Sequence, residues 1–368
     1  LKVYTIFAVV FLNFLATLVG GVGGSFEPNT MESVMRIGTL AYATQQGLGY
    51  LARSFYRAGV VTDTLVVNHP HRRNMGQLWY PDCPQINLTS FSQEKATLEK
   101  FCNQVDVMLF FETPFFWELI DYCRSRGIKT VLMPMYECLP PKSKLPYQPD
   151  QFICPSLLDL QYYPDANSKY IPVPADPEIE WKQRDKARVF IHNAGNGGLK
   201  GRNGTRELVE AIKYIKSPIN LIIRSQVKLG YDIHDLRVTF DYAGYPHHNL
   251  YHYGDVFVFP ATFNGLSLPL QEAYAAGMCV MATNRFPNNM WLPNQPLIPV
   301  RNYDRDRVSP RCVEFDRAII HPKDIASTID ASYDTDISSF SSSGKAWAEM
   351  NSWEKLKPEY LDYLASSY

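Results

Sequence analysis

The amino-acid sequence predicts an α/β protein of two Rossmann-like, doubly wound domains facing a cleft. Short continuous apolar runs alternate with helix-patterned segments between residues 36 and 174, and again from residue 189 onward. Glycine-bearing turns follow the first strand of each series, where such sheets bind ligands. A chain of 368 residues with 46% apolar content also holds about two domains' worth of core.

The chain opens with an apolar leader, assigned to residues 1–34. Residues 3–24 are almost uncharged, follow Lys2 and end in Gly20, Gly21, Gly23 and Gly24. Two readings fit: a signal peptide or anchor able to associate with a membrane, or upstream sequence ahead of Met31 and Met35.

The first domain is assigned to residues 35–175. Its strands are expected at 36–42, 64–68, 105–111, 128–135 and 151–154, all continuous apolar runs of the kind buried on both faces of a parallel sheet. The clearest helix is expected over 114–126, with Pro114 at N1 and Gly127 at C′. A charged connector at 177–188 leads into the second domain, 176–350, with strands at 189–192, 220–223, 237–240, 255–259 and 279–282. Pro260 ends the fourth of these, and leucines and alanines then recur at helical spacing over 268–276 until Gly277 offers a C-cap. Residues 351–368 close the chain with an amphipathic helix bearing Trp353, Leu356, Tyr360 and Leu364 on one stripe.

Three turns carry candidate ligand groups. Gly47, Leu48 and Gly49 open the helix after the first strand, so bare amides there suit a diphosphate or a sugar. The turn at 193–204 places Lys200 and Arg202 among five glycines, a point charge and a bidentate fork suited to a diphosphate. Asn264, Gly265, Leu266 and Ser267 precede the 268–276 helix, which carries Glu272. Glu112 and Glu137 follow strands at the carboxyl edge of the first sheet, where either suits an acceptor hydroxyl or the reacting carbon, or serves as a cap or ion-pair partner. Asn288 and Asn289 follow the strand at 279–282 and line either a sugar pocket or an ordered loop.

The run N-G-L-S-L-P-L-Q-E-A-Y-A-A-G-M-C-V from Asn264 resembles the donor-binding element of the GT-B glycosyltransferases. It is most similar to the large retaining, family 4-like group whose signature is two glutamates separated by seven residues. Glu272 matches the second glutamate and Asn264 replaces the first. The resemblance covers about residues 36–368 and includes the S-W-E start of the last helix, which in the family crosses back onto the N-terminal domain. It implies a hexosyltransferase using a nucleotide-diphosphate sugar, with retention of configuration. In it Glu272 holds the ribose, the 264–267 loop the sugar and its phosphate, and Lys200 and Arg202 the leaving diphosphate. With two side-chain cations in that role, neither metal nor cofactor is needed beyond the nucleotide sugar as co-substrate.

Other classes find less support. Net charge is −1 with dispersed lysines and arginines, which argues against nucleic acid as a partner. The glycine turn at 47–49 matches a dinucleotide fingerprint, but Asn68 stands where a carboxylate would hold the adenosine ribose. Asp304-Arg-Asp306 is read as surface charge in a late polar loop. His69, His71, His247, His248 and His252 are read as loop and helix-surface residues without metal spacing. No nucleophile elbow or P-loop occurs. Seven cysteines without a C-x-x-C pair read as reduced core thiols, and a sequon at Asn203 inside the diphosphate turn favours the cytoplasmic side. The alternatives to a sugar transferase are a GT-B-like protein that binds nucleotide or glycan without turnover, suggested by Asn264, and a glucosyltransferase acting on modified DNA. The acceptor, whether glycan, lipid, protein or small molecule, is not encoded in any motif.

Overall fold

The computed structural model describes residues 35–366 apart from 71, 72, 197, 198 and 293; the expected leader lies outside them. The first sheet has seven parallel strands in the order β3-β2-β1-β4-β5-β6-β7. These are β1 (Ile37–Tyr42), β2 (Asp63–Asn68), β3 (Gln85–Asn87), β4 (Val107–Glu112), β5 (Lys129–Pro134), β6 (Gln151–Cys154) and β7 (Ser168–Tyr170). The second has six, also parallel, in the order β10-β9-β8-β11-β12-β13. They are β8 (Val189–Gly195), β9 (Asn220–Ser225), β10 (Val238–Asp241), β11 (Val256–Phe259), β12 (Cys279–Thr283) and β13 (Leu297–Ile298). An antiparallel hairpin, β14 (Asn302–Asp306) and β15 (Phe315–Ile319), follows. The helices that matter to the site are α1 (Gly47–Arg57), α2 (Glu118–Ser125), α3 (Thr205–Ala211), α4 (Leu268–Ala275) and α5 (Trp353–Ala365).

Both faces of each sheet are covered, which explains the continuous apolar runs. In β4, Met108 and Phe110 enter one core while Val107, Leu109 and Phe111 enter the other. In the second sheet Val256 and Val258 of β11 face one core, Phe257 and Phe259 its opposite. All seven cysteines are free thiols. No described helix is long and apolar enough to cross a membrane.

Two expected boundaries shift for physical reasons. The helix expected from Pro114 begins at Glu118, because Phe116 is buried in the core and Phe115 meets Tyr42 edge-on at 4.5 Å. That aromatic packing holds 114–117 outside the helical ladder, while Gly127 takes the expected left-handed C′ position at φ 70°. The strand expected from residue 105 begins at Val107, since the Val105 amide is used on the Cys102 carbonyl at the end of the preceding helix.

The last helix returns to the first sheet. Tyr360 and Leu364 are fully buried in the core beside α1, and Phe55 meets Trp353 and Tyr360 edge-on at 4.8 and 4.9 Å. Trp353 Nε1 donates to Ser54 Oγ (2.8 Å), and the Tyr360 hydroxyl donates to the Pro172 carbonyl (3.0 Å). Replacing a large buried aromatic by alanine typically costs about 3–5 kcal/mol. Tyr360→Ala is therefore expected to lower the unfolding free energy obtained from urea titration by an amount in that range, whereas a loss under about 1 kcal/mol would show that α5 is not part of the first core.

Candidate functional site

In each sheet the order in which strands are added reverses at one pair of parallel neighbours, β1 beside β4 and β8 beside β11. Connections leave such a pair on opposite sides and open a crevice at the carboxyl ends. The turn before α1, Glu112 at the end of β4, the 195–204 turn after β8 and the 260–267 turn after β11 all sit at these ends.

The 195–204 turn is held from below. His192 is fully buried; its Nδ1 lies 2.9 Å from the Val258 carbonyl and its Nε2 2.8 Å from Thr205 Oγ1. Because a carbonyl only accepts, the Nδ1 tautomer is set and Thr205 donates to Nε2. Burial pushes the imidazole pKa down to about 4, so the ring is a neutral strut between β11 and the first residue of α3. Gly204, at φ 70°, lies so close to Pro260 that a Cβ would fall 1.9 Å from its carbonyl oxygen. The Arg202 carbonyl accepts from the Thr262 amide (2.8 Å) and Asn203 Nδ2 donates to the Ala194 carbonyl (3.0 Å).

The two cations of this turn part company. Lys200, in the left-handed region at φ 49°, turns to the β14–β15 hairpin and pairs with Asp306 at 2.9 Å and with the Arg307 carbonyl. Arg202 reaches across to the first domain and pairs with Glu137 at 2.9 Å; the Glu137 side chain is 4% exposed, that of Arg202 34%. Asp306 lies on a strand rather than in the expected loop, and the surface charge expected there pairs with Lys200 and Arg317.

Glu137 is presented by a short turn after β5. Its neighbour Tyr136 donates its amide to Asp159 (2.8 Å) and stacks on Tyr162 at 4.7 Å. Burial, with the charge on Glu137 adding, pushes the Asp159 carboxyl up to about 8. One Glu137 oxygen meets Arg202; the other has no hydrogen-bond partner and stands where a Cβ on Gly265 would come within 3.1 Å. Gly265 is small because this carboxylate lies against it.

The remaining loop residues divide by role. Asn264 is 4% exposed and accepts at Oδ1 from Arg285 Nη1, while its Nδ2 finds no partner. Leu266 is buried against the first domain's core, leaving its backbone as the group it can offer a ligand. Ser267, at φ 55°, precedes α4 with its hydroxyl buried and unbonded. Glu272, on α4, accepts from His247 Nε2 at 2.9 Å and from the Tyr251 hydroxyl at 2.6 Å.

Across the cleft, Gly47 is exposed and a Cβ there would meet only Leu268, at 3.7 Å. Leu48 packs partly into the core. Gly49 has a structural duty, since a Cβ would fall 2.0 Å from the Thr44 carbonyl oxygen. Glu112 ends β4 at φ 61°, a strained conformation for a side-chain-bearing residue. Asn288 is fully buried with both amide atoms unbonded. Asn289 is exposed and donates to Asn284 (3.1 Å), so it belongs to the surface turn.

Three further residues carry no local sequence signal. His247, expected on a surface, is instead buried between Glu272 and Asp176 (3.4 Å) with Tyr50 stacked on it at 3.9 Å. Its partners lie 25 and 71 residues away, so spacing could not reveal them. Tyr251 and Arg285 are the other two; His71 lies outside the described residues. Asp176, Glu178 and His247 bring possible ligand atoms within 4.8 Å of one another, but Glu178 already pairs with Arg53 and Arg57. The group is an ion-pair network.

No family model matches the chain, and no curated protein sequence does. Solved structures match along nearly its whole length. HepE of Anabaena in complex with UDP and glucose superposes with a TM-score of 0.63 at 13% identity, over 90% of this chain and 100% of that one. Sucrose-phosphate synthase from Thermosynechococcus elongatus gives 0.56 at 14%, over 90% and 100%. MurG of Acinetobacter baumannii gives 0.52 at 13%, over 89% and 99%. The likeness is one of fold: the two facing Rossmann-like domains are arranged as in the GT-B fold.

The His247 couple has a pH signature. Burial opposes the imidazolium, but Glu272 and Asp176 outweigh it and the pKa is pushed up to about 10. A folded-state pKa above the ordinary 6.5 means that its stabilisation is complete below about pH 6.5 and lost as pH rises through about 10. The Tm difference between the wild type and His247→Gln should therefore be largest near pH 6 and shrink toward pH 10. A difference constant across that window would contradict the assignment.

Proposed function

We propose that the protein is a glycosyltransferase that moves a sugar from a nucleotide-diphosphate sugar to an acceptor, with retention of configuration and without a metal. The observation that carries this is the convergence, at the switch points of two facing sheets, of a buried carboxylate (Glu272), a run of loop amides before α4 and a cross-cleft guanidinium (Arg202). The fold supports it: structures with the same architecture include glycosyltransferases, one of them holding UDP and glucose.

In this reading Glu272 accepts from the ribose hydroxyls. Tyr251 and His247 already fix both its oxygens in place, so the carboxylate is oriented before the donor arrives. The start of α4 and the loop amides face the phosphates, where exposed N–H groups favour an anion. Arg202 gives one nitrogen to Glu137, which aims the fork, and its other donors meet the leaving diphosphate. Lys200 joins by exchanging Asp306 for phosphate. Charge on the diphosphate grows as the glycosidic bond breaks, so these cations act mainly on the transition state. Glu112, at the carboxyl edge of the first sheet, is the group we assign to the acceptor side.

Two outcomes test this. Glu272→Gln keeps a partner for Tyr251 but loses the charge-assisted bond to ribose, which is worth about 1.5–3 kcal/mol; calorimetry with UDP, GDP and ADP should show roughly a tenfold or greater loss for whichever nucleotide the wild type binds. Unchanged affinity would remove the ribose assignment. Lys200→Ala with Arg202→Ala should lower kcat by roughly 10²-fold or more with a smaller change in donor KM, Arg202 supplying the larger share, and activity should survive EDTA. Loss of affinity with turnover intact would mean that the pair only anchors the donor.

A further inference from the structure

We propose that the sugar end of the cleft takes an acidic sugar, one whose transferred unit carries a carboxylate, with Arg285 as its receptor. The inference rests on the nucleotide-sugar reading above and specifies its donor.

Three arginines of the second domain are buried: Arg184, Arg224 and Arg285, at 4%, 6% and 3% exposure. Arg184 is used at every nitrogen, donating to the carbonyls of Gly254 (2.7 Å), Lys182 (2.6 Å), Ala276 and Tyr251 (2.7 Å). It is a structural staple. Arg224 donates to the Leu250 carbonyl and lies 3.4 Å from Asp241, which matches its charge. Arg285 differs from both. Its Nη1 donates to Oδ1 and to the carbonyl of Asn264, its Nε and Nη2 bond to no described residue, and no described carboxylate pairs with it. A guanidinium at 3% exposure, with two unbonded nitrogens and no described carboxylate on it, offers a planar fork to an anion supplied from outside the chain.

Its surroundings point to a ligand as the source. Asn264 Nδ2 is buried and unbonded, on a residue at 4% exposure, beside the guanidinium it anchors. Gly265 follows, with Glu137 against it, but that carboxylate is already matched by Arg202. Arg202 and Glu137 form an ion pair and Asn264 is neutral, so neither supplies Arg285 with a counter-charge. In the proposed function the ribose lies on Glu272 and the diphosphate lies between it and the loop, so the sugar falls on the Asn264 side. There a carboxylate accepts from the planar fork of Arg285 in bidentate fashion, and the Asn264 amide donates a further bond. A neutral hexose offers only hydroxyls and leaves the charge unmatched.

The test is calorimetric binding of matched donors, UDP-glucuronate against UDP-glucose and GDP-mannuronate against GDP-mannose, to the wild type, Arg285→Gln and Asn264→Asp. We expect the uronate of the accepted base to bind the wild type at least tenfold tighter than its neutral partner. Arg285→Gln should abolish that preference while leaving UDP or GDP affinity within about twofold. Asn264→Asp places the missing carboxylate in the chain, so it should raise Tm and also abolish the preference, which separates loss of the charge from loss of the fold. Matched donors binding the wild type within twofold of each other would overturn the inference and leave the glycosyltransferase reading intact, as would a preference that survives in Arg285→Gln. Failure of every nucleotide and nucleotide sugar to bind would overturn both.

Discussion

The ion pair between Arg202 and Glu137 is the interaction on which the arrangement of the cleft depends. One partner comes from the turn after the first strand of the second sheet, the other from the turn after a central strand of the first, and they meet at 2.9 Å with the carboxylate almost wholly buried. A buried carboxylate must be matched. That requirement draws the 199–204 turn across the gap and brings Glu137 against Gly265, where a side chain would intrude. His192, Gly204 and the Thr262 amide are the supports that let the turn reach so far.

The cleft's other charges follow the same pattern of prior pairing. Glu272 is gripped by an imidazolium and a phenol, and Lys200 by Asp306. Each ionic group is thereby oriented before a substrate arrives, the condition under which electrostatic catalysis avoids reorganising its surroundings. Arg285 breaks the pattern: among the described residues its hydrogen bonds go to the amide oxygen and carbonyl of Asn264, and no described carboxylate pairs with it.

Much of the fold was legible because it depends on local regularities. The apolar runs became strands at nearly the expected residues, Gly127 and Gly277 took left-handed positions after their helices, and the stripe of Trp353, Leu356, Tyr360 and Leu364 packed as a stripe. The N-terminus of the 118–125 helix was not legible, because the packing of Phe115 and Phe116 overrides the Pro114 signal. The site divided the same way. Turns with special backbone demands, at Gly49, Gly204 and Gly265, announced themselves as glycine. The pairings that decide its chemistry, His247 with Glu272, Arg202 with Glu137 and Arg285 with Asn264, span 21 to 65 residues and have no periodicity to betray them.

We propose that Arg202, aimed across the cleft by Glu137, is the cation that meets a donor's diphosphate. A crystal structure of the protein with a bound nucleoside diphosphate tests it most directly. A phosphate oxygen is expected within hydrogen-bond distance of Arg202 at the start of α4, with Glu137 still on its other nitrogen and the ribose on Glu272. A diphosphate bound away from Arg202, with that guanidinium touching Glu137 alone, would contradict it.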